Sequence, residues 1–195
     1  MRSQIMGSMG FWIGWVVATF LGFLLSLLFV EVGEIPDVTA VYGAIGGGII
    51  GLMQGLVLLR RVDRLREWIL VNAIAVGIMA WVGLGAIGWV APRTDFLVIR
   101  LTYGIVLGAI AGIVSGTMQS FVLRHTIPFP YLWAVLNSVC WGFSLGVGWT
   151  IGGILRSLTH LYLSEAIGLG LTWICSSTIM GFALTSLLQW QKRLE

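Results

Sequence analysis

Charge is what this sequence has least of. Asp, Glu, Lys and Arg make up 10% of its 195 residues, against about 25% in a typical soluble domain. A water-soluble fold with so few charges could not cover itself with polar surface, so lipid is the expected solvent. The net charge of +3 is too small and too scattered for a nucleic-acid surface. The two cysteines, Cys140 and Cys175, both sit inside apolar runs. Their spacing excludes a disulfide scaffold or a zinc site and fits small buried residues. The two histidines, His125 and His160, fall between apolar runs, which excludes a haem held by two intramembrane histidines. No acidic or basic residue lies near the middle of any apolar run, where proton-coupled transporters and ion pumps usually place one. There is no HExxH, P-loop, nucleophile motif or carboxylate pair. These absences point away from an enzyme and from a resident metal.

What is present is apolar sequence, 58% of the chain. Six charge-free runs lie near Gly10–Val30, Val38–Leu59, Trp68–Ala91, Leu101–Leu123, Tyr131–Leu155 and Ala166–Gln189. Each is long enough to cross a hydrocarbon core of about 30 Å as a helix. The expectation is an all-α, six-span integral membrane bundle, one transmembrane domain over residues 1–195. The first run is long for a signal peptide and ends at Glu31 without a small-residue cleavage site, so it reads as a retained span. The short links between runs make sequence neighbours pack as antiparallel hairpins, about 10–59, 68–123 and 131–190. Lys and Arg divide eight to three between the two sides: Arg2, Arg60, Arg61, Arg64, Arg66, Arg124, Lys192 and Arg193 against Arg93, Arg100 and Arg156. That asymmetry predicts cytoplasmic termini. Trp12, Trp68, Trp133 and Trp190 near one side, and Trp89 near the other, are expected to form aromatic belts.

An internal repeat carries the most information. Gly43-Ala44-Ile45 recurs 65 residues later as Gly108-Ala109-Ile110. In the same register Gly47 matches Gly112, Gly51 matches Gly116 and Gln54 matches Gln119. Beyond the loop Trp68 matches Trp133 and Asn72 matches Asn137. A weaker third copy follows, in which Gly116 maps to Gly181 but Gln119 maps to Leu184. The unit has two spans, so its copies run parallel and are expected around an axis along the membrane normal. Gly43, Gly47 and Gly51, like Gly108, Gly112 and Gly116, step by four and share one helical face. Such a face lets another backbone approach closely in lipid, or offers a groove to a flat pigment, quinone or lipid. Gln54 and Asn72 lie at similar depth on adjacent helices, as do Gln119 and Asn137. Each pair is expected to form a clasp across its hairpin, or to line a polar pocket near the cytoplasmic side.

The segments Gly51-Leu52-Met53-Gln54-Gly55-Leu56-Val57-Leu58-Leu59-Arg60 and Gly116-Thr117-Met118-Gln119-Ser120-Phe121-Val122-Leu123-Arg124, each leading to a Trp-led span, resemble Gly/Trp-rich multi-pass proteins of cyanobacteria. In those the segment often reads GIAQWLVLR. The acidic link Glu31-Val32-Gly33-Glu34-Ile35-Pro36 is similar too. This chain departs in lacking the Trp after Gln and in one extra residue before Arg60. The resemblance implies a bacterial plasma or thylakoid membrane and brings no activity or site residues with it. The expected function is that of a structural, accessory or assembly subunit that binds another membrane complex, lipid or pigment, with no other cofactor. The alternative is a small-solute carrier or channel with a cytoplasmic-side Gln/Asn-lined site.

Overall fold

The computed structural model describes residues 2–34, 38–59, 61–62 and 64–194, so the expectations placed on Ile35, Pro36 and Arg60 lie outside it. The chain is all-α. Its six helices are α1 (Arg2–Ser26), α2 (Ala40–Leu58), α3 (Leu65–Trp81), α4 (Leu97–Leu123), α5 (Pro130–Thr159) and α6 (Leu163–Leu194). Five of them, all but α3, are long and apolar enough to cross a membrane. Each helix packs on its sequence neighbours and α6 returns to pack on α1, closing a ring.

The distribution of side chains is that of a protein immersed in lipid. On α5, Tyr131, Val135, Val139 and Phe143 recur every four residues and are all more than half exposed. Gln54, Asn72, Gln119, Asn137, Ser144 and Thr172 are buried. An apolar stripe turned outward over a polar interior would be unstable in water and is stable in hydrocarbon.

The tightest pairs are α2 with α3 and α4 with α5, one helix out of step with the hairpins expected at 10–59, 68–123 and 131–190. The glycine stripes explain the pairing. A methyl group added at Gly47 would come within 2.5 Å of the Asn72 carbonyl oxygen. The equivalent methyl at Gly112 would meet the Asn137 carbonyl. Bare backbone on one helix therefore lies against backbone on the next, where dispersion replaces the absent hydrophobic effect.

The third expected span, Trp68–Ala91, is only half helical. α3 stops at Trp81, and Gly83, Gly85 and Gly88 take φ of +80°, +82° and +112°. Only glycine adopts such angles without strain, so this spacing turns the chain out of the helix. The segment still stays inside the protein: Ala86, Ile87, Trp89, Val90 and Ala91 are all buried. Non-helical backbone at this depth is stable only where protein satisfies its polar groups. Trp173 Nε1 donates to the Gly88 carbonyl at 3.1 Å and Trp149 Nε1 to the Val90 carbonyl at 2.8 Å. Gly33 N–H donates to the Trp89 carbonyl at 3.0 Å, within a two-residue parallel pairing of Gly33–Glu34 with Val90–Ala91.

The belt expectation fails for three tryptophans. Trp68, Trp89 and Trp133 are fully buried, because each indole N–H has a protein acceptor inside the bundle. Of the other two expected in the belts, Trp190 is substantially exposed and Trp12 half-buried.

Gly47→Ala should lower stability by about 1–3 kcal/mol, the usual cost of overpacking. Gly48→Ala should be neutral or stabilising by up to about 1 kcal/mol through helix propensity, since its methyl would rest 3.7 Å from Ala73. Thermal or detergent unfolding of the two variants measures the difference.

Candidate functional site

Inside the ring, near the ends of α2 and α4, lies a belt of buried amides. Gln54 Oε1 accepts from Trp68 Nε1 at 3.3 Å, and its Nε2 donates to Thr19 Oγ1 on α1 at 3.2 Å. The second copy repeats this with shorter bonds. Gln119 Oε1 accepts from Trp133 Nε1 at 2.8 Å and Nε2 donates to Asn72 Oδ1 at 2.8 Å. Each asparagine turns its own amide back one turn, Asn72 Nδ2 to the Trp68 carbonyl at 2.7 Å and Asn137 Nδ2 to the Trp133 carbonyl at 2.9 Å.

The expected clasps, Gln54 with Asn72 and Gln119 with Asn137, are therefore not the ones formed. The Gln–Asn bond joins Gln119 to Asn72 and so ties α4 to α3, across the thinnest contact between sequence neighbours in the ring. The physical reason is the tryptophan. Within each closely packed pair the indole N–H already occupies the glutamine oxygen. The amide nitrogen is then left to reach the preceding helix.

The six glycines of the stripes are all buried against a neighbouring helix. Methyls at Gly43 and Gly51 would lie 3.1 Å from the Val76 carbonyl and 2.9 Å from Asn72 Cβ. One at Gly116 would lie 2.7 Å from Ala134 Cα, and one at Gly108 would meet the Trp141 carbonyl. These faces are filled by protein and leave no groove at the stripes.

Beside the belt is a cavity of about 40 Å³, room for one or two water molecules. Residues from all six helices line it. Its polar lining is Thr19, Gln54, Asn72, Ser115, Gln119, Ser176 and Ser177, and its apolar lining includes Met79, Ile87, Trp141 and Trp173. No charged side chain lines it. Trp173 forms the hub of an aromatic cluster, with Trp141 at 4.8 Å, Trp89 at 5.4 Å and Phe23 at 5.9 Å between ring centroids. Trp89 also donates to Ser26 Oγ at 2.7 Å, fixing the non-helical segment to α1.

A second buried cluster was not foreseen from sequence. Arg100, expected between apolar runs, and Glu165 lie in the first turns of α4 and α6 and are 0% and 1% exposed. They form a bidentate pair, Nη2 to Oε1 at 2.7 Å and Nη1 to Oε2 at 2.9 Å. Arg100 also donates Nε to the Thr94 carbonyl at 2.6 Å and Nη1 to the Trp149 carbonyl at 3.1 Å. Arg156 adds a bond to Glu165 Oε1 at 3.3 Å. One guanidinium thus joins α4, α5, α6 and the strap at Thr94. The signal available in the sequence was the spacing: the two residues are 65 apart, the repeat length.

Gln119→Leu should destabilise by about 1–3 kcal/mol, the cost of leaving buried partners unpaired. Gln54→Leu should cost less, because its bonds are longer. Arg100→Leu or Glu165→Leu alone should cost about 3–5 kcal/mol, and the double replacement less than either. Unfolding in detergent, run as a double-mutant cycle, measures both sets. Comparison with protein-family models, curated proteins and solved structures finds no match to this chain.

Proposed function

We propose that this chain is a six-span, non-enzymatic membrane protein in which three parallel hairpins surround an axis normal to the bilayer. Both termini are cytoplasmic, and the centre admits a small uncharged solute. The observation that carries this reading is the cavity beside the amide belt, lined by all six helices and by no charge. An ion entering it would shed hydration without a counter-charge, at a cost of several kcal/mol. A neutral molecule with hydrogen-bonding groups meets amides and hydroxyls instead. The close pairing of α2 with α3 and of α4 with α5 supports a repeated two-helix unit, and the closure of the ring by α6 on α1 supports its arrangement about one axis, although α6 packs more closely on α5 than on α1. The eight-to-three division of Lys and Arg supports the orientation.

The competing reading is an accessory or assembly subunit that binds another membrane complex, lipid or pigment. It draws on the mutual pairing of the belt amides, which makes them a structural lock. Purification from native membranes in mild detergent separates the two, since a stoichiometric subunit or pigment would accompany the protein only in the accessory case.

The direct test is reconstitution into liposomes. Vesicles holding the protein should shrink and re-swell in urea or glycerol faster than protein-free vesicles, with no added conductance to K⁺, Na⁺ or Cl⁻. Ser115→Leu, which places an apolar side chain in the cavity, should remove the excess rate while the helical circular dichroism is kept. Equal rates with and without folded wild-type protein would sink the solute reading.

A further inference from the structure

Among the described residues, three buried polar side-chain atoms have no hydrogen-bond partner: Trp15 Nε1, Asn137 Oδ1 and Ser144 Oγ. Trp15 and Asn137 are both 0% exposed. An unpaired donor and an unpaired acceptor at this depth each cost free energy. The geometry of the belt gives the two a single origin.

In the first two copies one glutamine serves two partners. Its oxygen takes an indole N–H from the helix closely packed on it, and its nitrogen gives to a side chain on the preceding helix. Gln54 bridges Trp68 and Thr19, and Gln119 bridges Trp133 and Asn72. The partners recur at a fixed spacing, since Trp15 precedes Thr19, Trp68 precedes Asn72 and Trp133 precedes Asn137 by four residues each. In order round the ring, α1 follows α6 and α5 precedes it, as α3 follows α2 and α1 precedes it, although α6 packs more closely on α5 than on α1. The third glutamine would therefore take the Trp15 N–H and give to the Asn137 oxygen.

Position 184, 65 residues after Gln119, holds leucine. Leu184 is fully buried. Three residues before it, a methyl on Gly181 would lie 2.8 Å from Trp15 Cδ1, the ring atom bonded to Nε1. Asn137 has the orientation of Asn72, its amide turned back to the carbonyl four residues earlier.

We propose that Leu184 stands in the place of a third bridging glutamine. The Trp15 N–H and the Asn137 carboxamide oxygen that it leaves unpaired then form a recognition pair for a small neutral molecule of the carboxamide or urea class. Such a molecule presents a carbonyl acceptor beside an N–H donor, the chemistry the glutamine supplies in the other two copies. The belt amides of the other copies are already engaged with one another and would lose bonds to bind a solute. Trp15 and Asn137 would only gain them. The ligand takes its place when the Leu184 side chain turns aside. This assignment of a ligand rests on the solute reading above; the assignment of position 184 does not.

Leu184→Gln tests both parts in the full chain. It should raise the melting temperature by several degrees, and a second change, Asn137→Leu, should remove much of that gain. In liposomes the same Leu184→Gln variant should reduce the urea rate to the protein-free level, because the protein's own carboxamide fills the pair. Leu184→Met, similar in size and without an amide, should leave both readings near wild type. A melting temperature unchanged or lowered by Leu184→Gln overturns the assignment of position 184. A raised melting temperature with an undiminished urea rate overturns the recognition pair alone. Wild-type vesicles no faster than empty ones sink the solute reading and the pair with it, while the melting temperatures still decide position 184.

Discussion

Everything in the interior depends on how closely two pairs of backbones approach. In lipid, helices gain nothing by hiding apolar side chains from one another, so contact must come from fit and from polar bonds. At Gly47 and Gly112 the missing side chain lets α2 and α4 settle against the carbonyls of Asn72 and Asn137. That approach brings Trp68 within reach of Gln54, and Trp133 within reach of Gln119. The indoles in turn redirect the amide nitrogens to the preceding helix. The cavity is what remains in the middle once those bonds are made.

The two clusters of buried polarity are of opposite kinds. The belt is neutral and joins neighbours pairwise, which sets register around the ring at modest cost per bond. The Arg100–Glu165 pair is charged and concentrated, and it draws four segments to one point. Isolated, either charge would be prohibitive inside a membrane protein. Paired in a bidentate fork and further bonded to backbone carbonyls, the guanidinium becomes a fixed junction. It sits at the helix ends, beside the non-helical segment that closes that side of the bundle.

Much of this was legible in the sequence. The all-α class, helices apolar and long enough to cross a membrane, the bounds of α2 to within two residues and the polar residues of the belt follow from composition and pattern. What was not legible is instructive. A hydropathy run counts apolar residues and cannot see that Gly83, Gly85 and Gly88 will take positive φ, so Trp68–Ala91 read as one span. Tryptophan near the end of a run suits an interface as well as a buried donor, and only the position of Gln54 and Gln119 on the facing helix separates the two. Arg100 and Glu165 looked like loop charges because each adjoins an apolar run; their pairing is a matter of three dimensions.

The non-helical segment after α3 also makes one part of the fold conditional on another. The groups that satisfy its turned backbone are the indoles of Trp149 on α5 and Trp173 on α6. Residues 83–91 can therefore hold their buried, non-helical shape only while α5 and α6 are packed beside them, so that the conformation of this link is a property of the closed ring and not of its local sequence.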